Sequence, residues 1–84
     1  MSKHDLSRAT SKKVAILLRE ERMRQGLSMN SVAKTAGLSQ QMVSYVERGL
    51  RNPTLDTLLR ITDALSIDLS KLIKRASKAS DVQR

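Results

Sequence analysis

Apolar residues recur three and four positions apart along most of this 84-residue chain, which is the spacing of one helix face. No segment alternates strictly between apolar and polar residues, so β-strands have little support. The apolar core positions are aliphatic, and most of the surrounding residues are strong helix formers. The pattern predicts five helices, at about residues 12–25, 29–36, 40–48, 55–65 and 69–74.

Residues that cap or end helices stand at the boundaries of these apolar segments. Hydroxyl and carboxylate oxygens accept the backbone N–H groups that the first turn of a helix leaves free. The predicted N-caps are Ser11, Ser28, Ser39, Thr54 and Asp68. The first three helices are predicted to end at Gly26, Gly37 and Gly49. Together these signals predict an all-α bundle with short connections.

The two ends of the chain lack this pattern. Residues 1–11 are mostly polar, carry the basic residues Lys3, His4 and Arg8 and show no periodicity, which predicts a flexible basic N-terminal arm. Residues 74–84 are polar as well and predict a C-terminal tail that frays. Residues 12–73 lie between them and form the single predicted domain.

Composition narrows the classes of function. Sixteen lysines and arginines against eight acidic residues give a net charge of +8, which favours a polyanionic partner. Cysteine is absent and His4 is the one histidine, so a zinc site or a nucleophile–base pair is not expected. No apolar run approaches the about 20 residues of a membrane span, and the N-terminus lacks the apolar segment of a signal peptide. We therefore expect no enzyme, no secreted or membrane protein, and no metal or cofactor.

The most specific pattern lies between residues 28 and 53, where two short helices flank a tight turn at Gly37. Ala33 stands four positions before this glycine, and Val43 and Val46 stand six and nine positions after it. Two helices that cross steeply need a small residue where their backbones meet and a turn residue that adopts a positive φ. The valines then hold the second helix to the core. This is the helix-turn-helix arrangement, whose second helix enters the DNA major groove.

Residues 27–72 resemble the DNA-binding domain of the Cro and lambda-repressor type, the XRE-like family. The resemblance is carried by Leu27-Ser28, Val32-Ala33, Gly37-Leu38-Ser39-Gln40, Val43, Glu47-Arg48-Gly49, Asn52-Pro53, Leu58, and Leu65 with Ile67. It covers roughly residues 12–73 and implies a compact five-helix lambda-repressor-like domain. One departure is Met29, because the family usually has a phosphate-binding glutamine in the first turn of its second helix.

The resemblance also implies which residues contact DNA. Amide and hydroxyl groups suit base edges, whereas arginine and lysine suit phosphates. The implied base-facing residues are Gln40, Gln41, Ser44 and Tyr45, although a solvated polar face is the alternative and Tyr45 could cover the core edge or pack on a phosphate. The implied phosphate-binding residues are Ser28, Asn30, Ser39, Arg48 and Arg51. The serines are most simply helix caps. The family also joins the positions of Arg22 and Glu47 by a partly buried salt bridge, which would support the recognition helix.

The resulting prediction is a sequence-specific transcriptional regulator of double-stranded DNA, of the repressor or restriction–modification controller type. We expect a cytoplasmic homodimer on a near-palindromic operator, because two-fold pairing places recognition helices about 34 Å apart, one DNA turn. Candidate interface residues are Ile67, Leu69, Leu72 and Ile73, some of which must close the monomer core. No small-molecule ligand is evident.

An antitoxin-like protein-interaction module that also binds its own promoter is the alternative. In that case residues 74–84 would fold on a partner protein. Val82 is the one bulky apolar residue in this segment, which argues against a large partner-binding helix. The basic residues of the N-terminal arm could wrap DNA, and a merely disordered tail is equally compatible with the sequence.

Overall fold

A computed structural model of the chain describes the backbone of residues 3–81 and the side chains of residues 7–78. It contains five α-helices and, within residues 3–81, no strand, which confirms the predicted all-α fold. The helices are α1 (Lys3–Arg24), α2 (Met29–Ala36), α3 (Gln40–Glu47), α4 (Leu55–Ala64) and α5 (Leu69–Asp81).

The first helix begins much earlier than the sequence pattern predicts. It runs from Lys3, so Ser11 lies inside α1 and its prediction as an N-cap is wrong. Apart from Leu6, the added turns contain small and polar residues, of which Ala9 is half-buried. Such residues lack the bulky apolar periodicity that marks a helix in sequence. Most of the predicted N-terminal arm is therefore helical, and residues 1–2 lie outside the described residues.

The last helix also extends beyond its predicted end near Lys74. It reaches Asp81, and Ala76 within it is fully buried. Ala76 follows Leu69 and Leu72 at helical spacing, so it continues the buried face of α5 by another turn. A single alanine is a weak hydrophobic signal. The predicted tail is thus largely helical, and residues 82–84, including Val82, lie outside the described residues.

The core lies where α1 crosses α3 and α5 and where α2 packs against α3 and α4. Leu18, Val43, Ile61 and Leu65 are at most 1% exposed and form its centre. Thr62 is buried among them, and its hydroxyl donates to the Leu58 carbonyl oxygen at 3.0 Å. A satisfied hydroxyl avoids the cost of burying an unpaired polar group. α3 contributes Val43 and Val46 to this core.

Three of the predicted caps fix the start of the three shorter helices. The hydroxyls of Ser28, Ser39 and Thr54 accept hydrogen bonds from the backbone N–H groups of Ser31, Met42 and Thr57, at 3.0, 3.1 and 3.1 Å. Each such cap stabilises a helix by about 1 kcal/mol. Asp68 caps α5 in the same way, by accepting from the Ser70 N–H at 2.9 Å. These four predicted caps are confirmed.

Candidate nucleic-acid interface

The turn between α2 and α3 has the geometry that its sequence predicts. Gly37 adopts φ 70°, and the next N–H, from Leu38, donates to the Ala33 carbonyl oxygen at 2.9 Å. Ala33, Val43 and Val46 are all at most 2% exposed. The two helices therefore meet closely at a small residue, and α3 is held to the core by its valines. Its opposite face points to solvent.

Arg60 of α4 makes an additional contact to this turn that the sequence pattern does not predict. Its Nη1 donates to the carbonyl oxygen of Ala36, at the end of α2, at 3.4 Å, while its Nε donates to Asp56 at 2.9 Å. A cation at a helix C-terminus is favourable because the last carbonyl groups carry partial negative charge. Arg60 thereby ties α4 to the helix-turn-helix. No local sequence signal identifies a contact between residues so far apart.

A buried ion pair between Arg22 and Glu47 holds the C-terminal end of α3. The guanidinium Nε and Nη2 donate to Glu47 Oε2 and Oε1 at 2.7 and 3.0 Å, and Nη1 donates to the Leu27 carbonyl oxygen at 2.8 Å. The side chains are only 11% and 4% exposed. The hydrogen bonds to the carboxylate raise the pKa of Arg22, which stays charged. The pair therefore links α1, the connection before α2 and the end of α3.

The outward face of α3 carries the residues for which base contacts are predicted. Gln40 and Gln41 are exposed in the first turn, and Ser44 and Tyr45 are half-buried in the next. Gln41 Nε2 donates to the Tyr45 hydroxyl. The side chain of Gln40 has no hydrogen-bond partner among residues 7–78. The guanidinium carbon of Arg51 lies 4.9 Å from the centre of the Tyr45 ring. The structure thus brings Arg51, predicted to bind phosphate, against a predicted base-facing residue.

The predicted phosphate-binding residues lie on the surface of the protein. Ser28, Asn30, Ser39, Arg48 and Arg51 are all exposed. The oxygens of Ser28 and Ser39 already accept cap hydrogen bonds, so their O–H groups remain as donors. Within the part of the chain with described side chains, Arg48 and Arg51 form no salt bridge. Their charges are therefore available to an external anion.

Two grooves place further basic residues next to Arg48 and Arg51. One, of about 310 Å³, places Arg19 of α1 beside Arg48 and Ser44 and is also lined by Met29. The other, of about 460 Å³, lies between the first turns of α1 and the α3–α4 loop and is lined by Arg8, Lys12 and Arg51. The sequence pattern did not single out Arg19. Its position three residues before Arg22, on the same side of α1, is the signal that could have found it.

The four candidate interface residues separate into two groups. Leu69 and Leu72 are 8% and 3% exposed and belong to the core of the chain itself, as expected for some of the four. Ile73 is 39% exposed and Ile67 is half-buried. Together with Leu59, which is 43% exposed, they line a groove between α4 and α5. The apolar residues of α5 cover more than the face that packs in the core. The sequence alone therefore does not separate the core positions from the exposed one, Ile73.

The described residues contain no candidate for a membrane-spanning helix or a metal-binding site. None of the helices there combines the length and apolarity needed to cross a bilayer. The described side chains, those of residues 7–78, likewise hold no cluster of histidine and acidic groups that could bind a metal ion. The surface around α3 is the best-defined candidate site.

Comparison with known proteins identifies the class to which this fold and surface belong. The sequence profile of the helix-turn-helix family matches residues 18–72. A relative of about the same length, the HTH-type transcriptional regulator y4dJ of Sinorhizobium fredii, is 36% identical over 69 residues, which are 82% of this chain and 84% of that protein. The chain therefore belongs to the helix-turn-helix family of DNA-binding regulators.

Other similar proteins extend this comparison. The HTH-type regulator Rv0474 of Mycobacterium tuberculosis is 39% identical over 59 residues, which cover 70% of this chain and 42% of that protein. The chain thus spans about two fifths of the length of this relative. The restriction-modification controller protein C.AhdI of Aeromonas hydrophila has a solved structure that aligns with a TM-score of 0.69 and 38% identity. The alignment covers 75% of this chain and 94% of C.AhdI.

Proposed function

We propose that this protein is a sequence-specific transcriptional regulator that binds double-stranded DNA with α3 in the major groove, as a repressor or restriction–modification controller does. The observation that carries the proposal is the asymmetry of α3. Its inner face is fixed by Val43, Val46 and the Arg22–Glu47 pair, and its outer face exposes amide and hydroxyl groups. Among the similar proteins, y4dJ is named a transcriptional regulator and C.AhdI a controller protein.

Base recognition is assigned to the outer face of α3. Gln40 and Gln41 follow the Ser39 cap, so they occupy the end of the helix that enters the groove first. A glutamine amide can donate to N7 and accept from N6 of adenine at once, a pattern that other base pairs do not present. Ser44 lies one turn further along the same face. We therefore expect at least one A·T pair in each half-site to depend on these glutamines.

Phosphate binding is assigned to the exposed cationic and hydroxyl groups around α3. Arg48 and Arg51 supply charge, and Ser28, Asn30 and Ser39 supply neutral donors near helix N-termini. Among the described residues, the groove lined by Arg8, Lys12 and Arg51 has no carboxylate in its lining, which supports a further backbone contact from α1. Met29 cannot donate a hydrogen bond from its side chain. Phosphate binding at the start of α2 is therefore assigned to Asn30 and to backbone N–H groups.

We further assign the Leu59, Ile67 and Ile73 groove to a homodimer interface, which would place two recognition helices on a near-palindromic operator in the cytoplasm of a prokaryotic cell. The protein would act by binding alone, without catalysis, a cofactor or a small-molecule inducer. An antitoxin-like tail is less well supported, because residues 74–81 continue α5 and Ala76 is buried.

The proposal is tested by selecting bound sites from random duplex DNA. We expect enrichment of a near-palindromic sequence, bound with two protein chains per site in sedimentation equilibrium. Affinity should fall with salt, with a slope of log K against log[salt] near about −5 if roughly six phosphates are neutralised per dimer. Selection without any enriched sequence, or one chain per site at saturation, would contradict the proposal.

A further inference from the structure

Tyr45 lies between two of the residues to which DNA contacts are assigned. It is the one aromatic residue of the chain and is half-buried on the outward face of α3. Its hydroxyl accepts a hydrogen bond from Nε2 of Gln41, one helical turn earlier. The guanidinium of Arg51 lies over its ring, with the central carbon 4.9 Å from the ring centre. These contacts form one continuous chain from the first turn of α3 to the loop that follows it.

We propose that Tyr45 is a positioning residue, which orients Gln41 toward the bases and Arg51 toward the phosphate backbone, and is not itself a base-reading residue. The inference rests on the proposed function, because it names how two parts of the DNA-binding surface are set before DNA arrives. The hydroxyl of Tyr45 orients Gln41 and the ring orients Arg51, so different substitutions of Tyr45 can test the two roles.

The hydroxyl fixes Gln41 without consuming its capacity for recognition. A glutamine amide has two N–H donors and one carbonyl acceptor, and the bond to Tyr45 uses one donor. One N–H and the carbonyl oxygen remain, which are the two groups that a bidentate contact to adenine requires. Without the hydroxyl, the exposed Gln41 side chain would sample several rotamers, and ordering it on DNA would cost side-chain entropy.

The ring restrains Arg51 in a comparable way. A guanidinium stacked over an aromatic face keeps its N–H groups at the edge, where they can donate to a phosphate. Stacking at an exposed site of this kind corresponds to a factor of about two to five in affinity. Because both partners depend on the same tyrosine, the position of the base reader and that of the phosphate ligand are linked. The Gln40 side chain forms no hydrogen bond to Tyr45 and serves as the internal control.

The first test uses the free protein and does not depend on DNA. In NMR spectra of the ¹⁵N-labelled chain, Tyr45→Phe should shift the side-chain amide resonances of Gln41 and leave those of Gln40 in place. The substitution keeps the ring, so the ring-current field is preserved and the change reports the missing hydroxyl. Gln41 resonances that stay unchanged, or Gln40 resonances that shift as much, would overturn the inference.

The second test measures binding to the selected operator and a panel of its single-base variants. Gln41→Ala first identifies the base pair that Gln41 reads. Tyr45→Phe should then lower the preference at that same pair by about two- to tenfold, the value of one hydrogen bond. It should leave the preference that depends on Gln40 unchanged. A loss of preference at a different base pair would mean that the Tyr45 hydroxyl reads a base itself.

The ring is tested with Tyr45→Leu, combined with Arg51→Ala in a double-mutant cycle. Tyr45→Leu should weaken binding to every operator variant about two- to fivefold more than Tyr45→Phe does. That additional weakening should disappear when Arg51 is already alanine. Thermal unfolding of each variant checks the fold, and the Tyr45→Phe results stand even if Tyr45→Leu unfolds. Equal weakening with and without Arg51 would overturn the assigned role of the ring.

Different results would contradict DNA binding by the chain and the role of Tyr45. A wild-type chain that binds no duplex in preference to random sequence would contradict the proposed function. A wild-type chain that binds its operator while Tyr45→Phe retains full base preference would contradict the role of Tyr45 alone.

Discussion

The inner and outer faces of α3 differ in almost every property of their side chains. On the inner face, Val43 and Val46 are at most 2% exposed, and Glu47 satisfies its carboxylate with Arg22. On the outer face, Gln40 is exposed without a hydrogen-bond partner in the described chain. An eight-residue helix thus separates support from recognition. Substitutions on the two faces should therefore change different measurable quantities, stability on one side and DNA preference on the other.

The largest expected effect is on the inner face. Glu47→Ala should lower the free energy of unfolding by about 3–5 kcal/mol, because it leaves the Arg22 guanidinium buried without its carboxylate. Replacing both residues by apolar ones should cost much less. Denaturant unfolding measures both changes. The matched control is Asp56→Ala, which breaks an exposed ion pair and should cost less than about 1 kcal/mol. Equal losses of stability for Glu47→Ala and the double substitution would contradict the buried pair.

The turn that orients α3 should give the next effect. Gly37 has φ 70°, where a side chain costs about 1–2 kcal/mol. A Cβ there would also lie 3.2 Å from Nη1 of Arg60, which must then move away. Gly37→Ala should therefore lower stability by about 1–2 kcal/mol. Gly26→Ala is the control, since it has the same sign of φ and nothing within 4 Å of the added carbon. A larger loss of stability for Gly26→Ala would argue against the Arg60 contact.

On the outer face, the arginines should affect binding without affecting stability. Arg48→Ala and Arg51→Ala should each weaken binding to all DNA sequences similarly. Each should also flatten the slope of log K against log[salt] by about one for every phosphate that the variant no longer neutralises. Fluorescence anisotropy over a salt series measures this. Lys74→Ala, an exposed change on α5, should leave the slope unaltered. A slope that changes as much for Lys74→Ala would mean that the charge effect is not localised at α3.

The smallest effect concerns pH and lies away from both faces. Hydrogen bonds from Arg24 and then Gln25 lower the pKa of Glu21 from its ordinary value of 4.5 to about 2. Because the folded protein favours the charged form, this stabilisation is present above pH 4.5 and is lost as the pH falls toward 2. Glu21→Gln should make stability less sensitive to pH across that range. Unfolding curves between about pH 5 and about pH 2.5 that superimpose for both proteins would contradict this role.

Local signals explain most of what the sequence predicts correctly. The bounds of α2 and the start of α3 follow from the Ser28 and Ser39 caps and from Gly37, each of which acts within one helical turn. The Arg22–Glu47 pair was predicted from the family resemblance, because no local rule joins residues so far apart in the chain.

The features that the sequence did not predict depend on tertiary contacts or on small residues. Ala76 is fully buried in the core, and its small side chain gives no clear hydrophobic signal in the sequence. The bond from Gln25 Nε2 to the Leu65 carbonyl oxygen, at 2.7 Å, joins α1 to the end of α4 and needs the fold to be known. The Gln41–Tyr45 contact is different. These residues are four apart on one helix, so helical spacing alone could have predicted it.

Base recognition by the outer face of α3 can be measured at a single residue, Gln40. The most direct measurement compares the binding of wild type and Gln40→Ala across every single-base variant of the selected operator. We expect Gln40→Ala to lose about 1–3 kcal/mol of discrimination at one or two base pairs, with the fold and the salt slope nearly unchanged. If it instead weakens binding to every variant equally, Gln40 holds the phosphate backbone and the assignment of base recognition to this position is wrong.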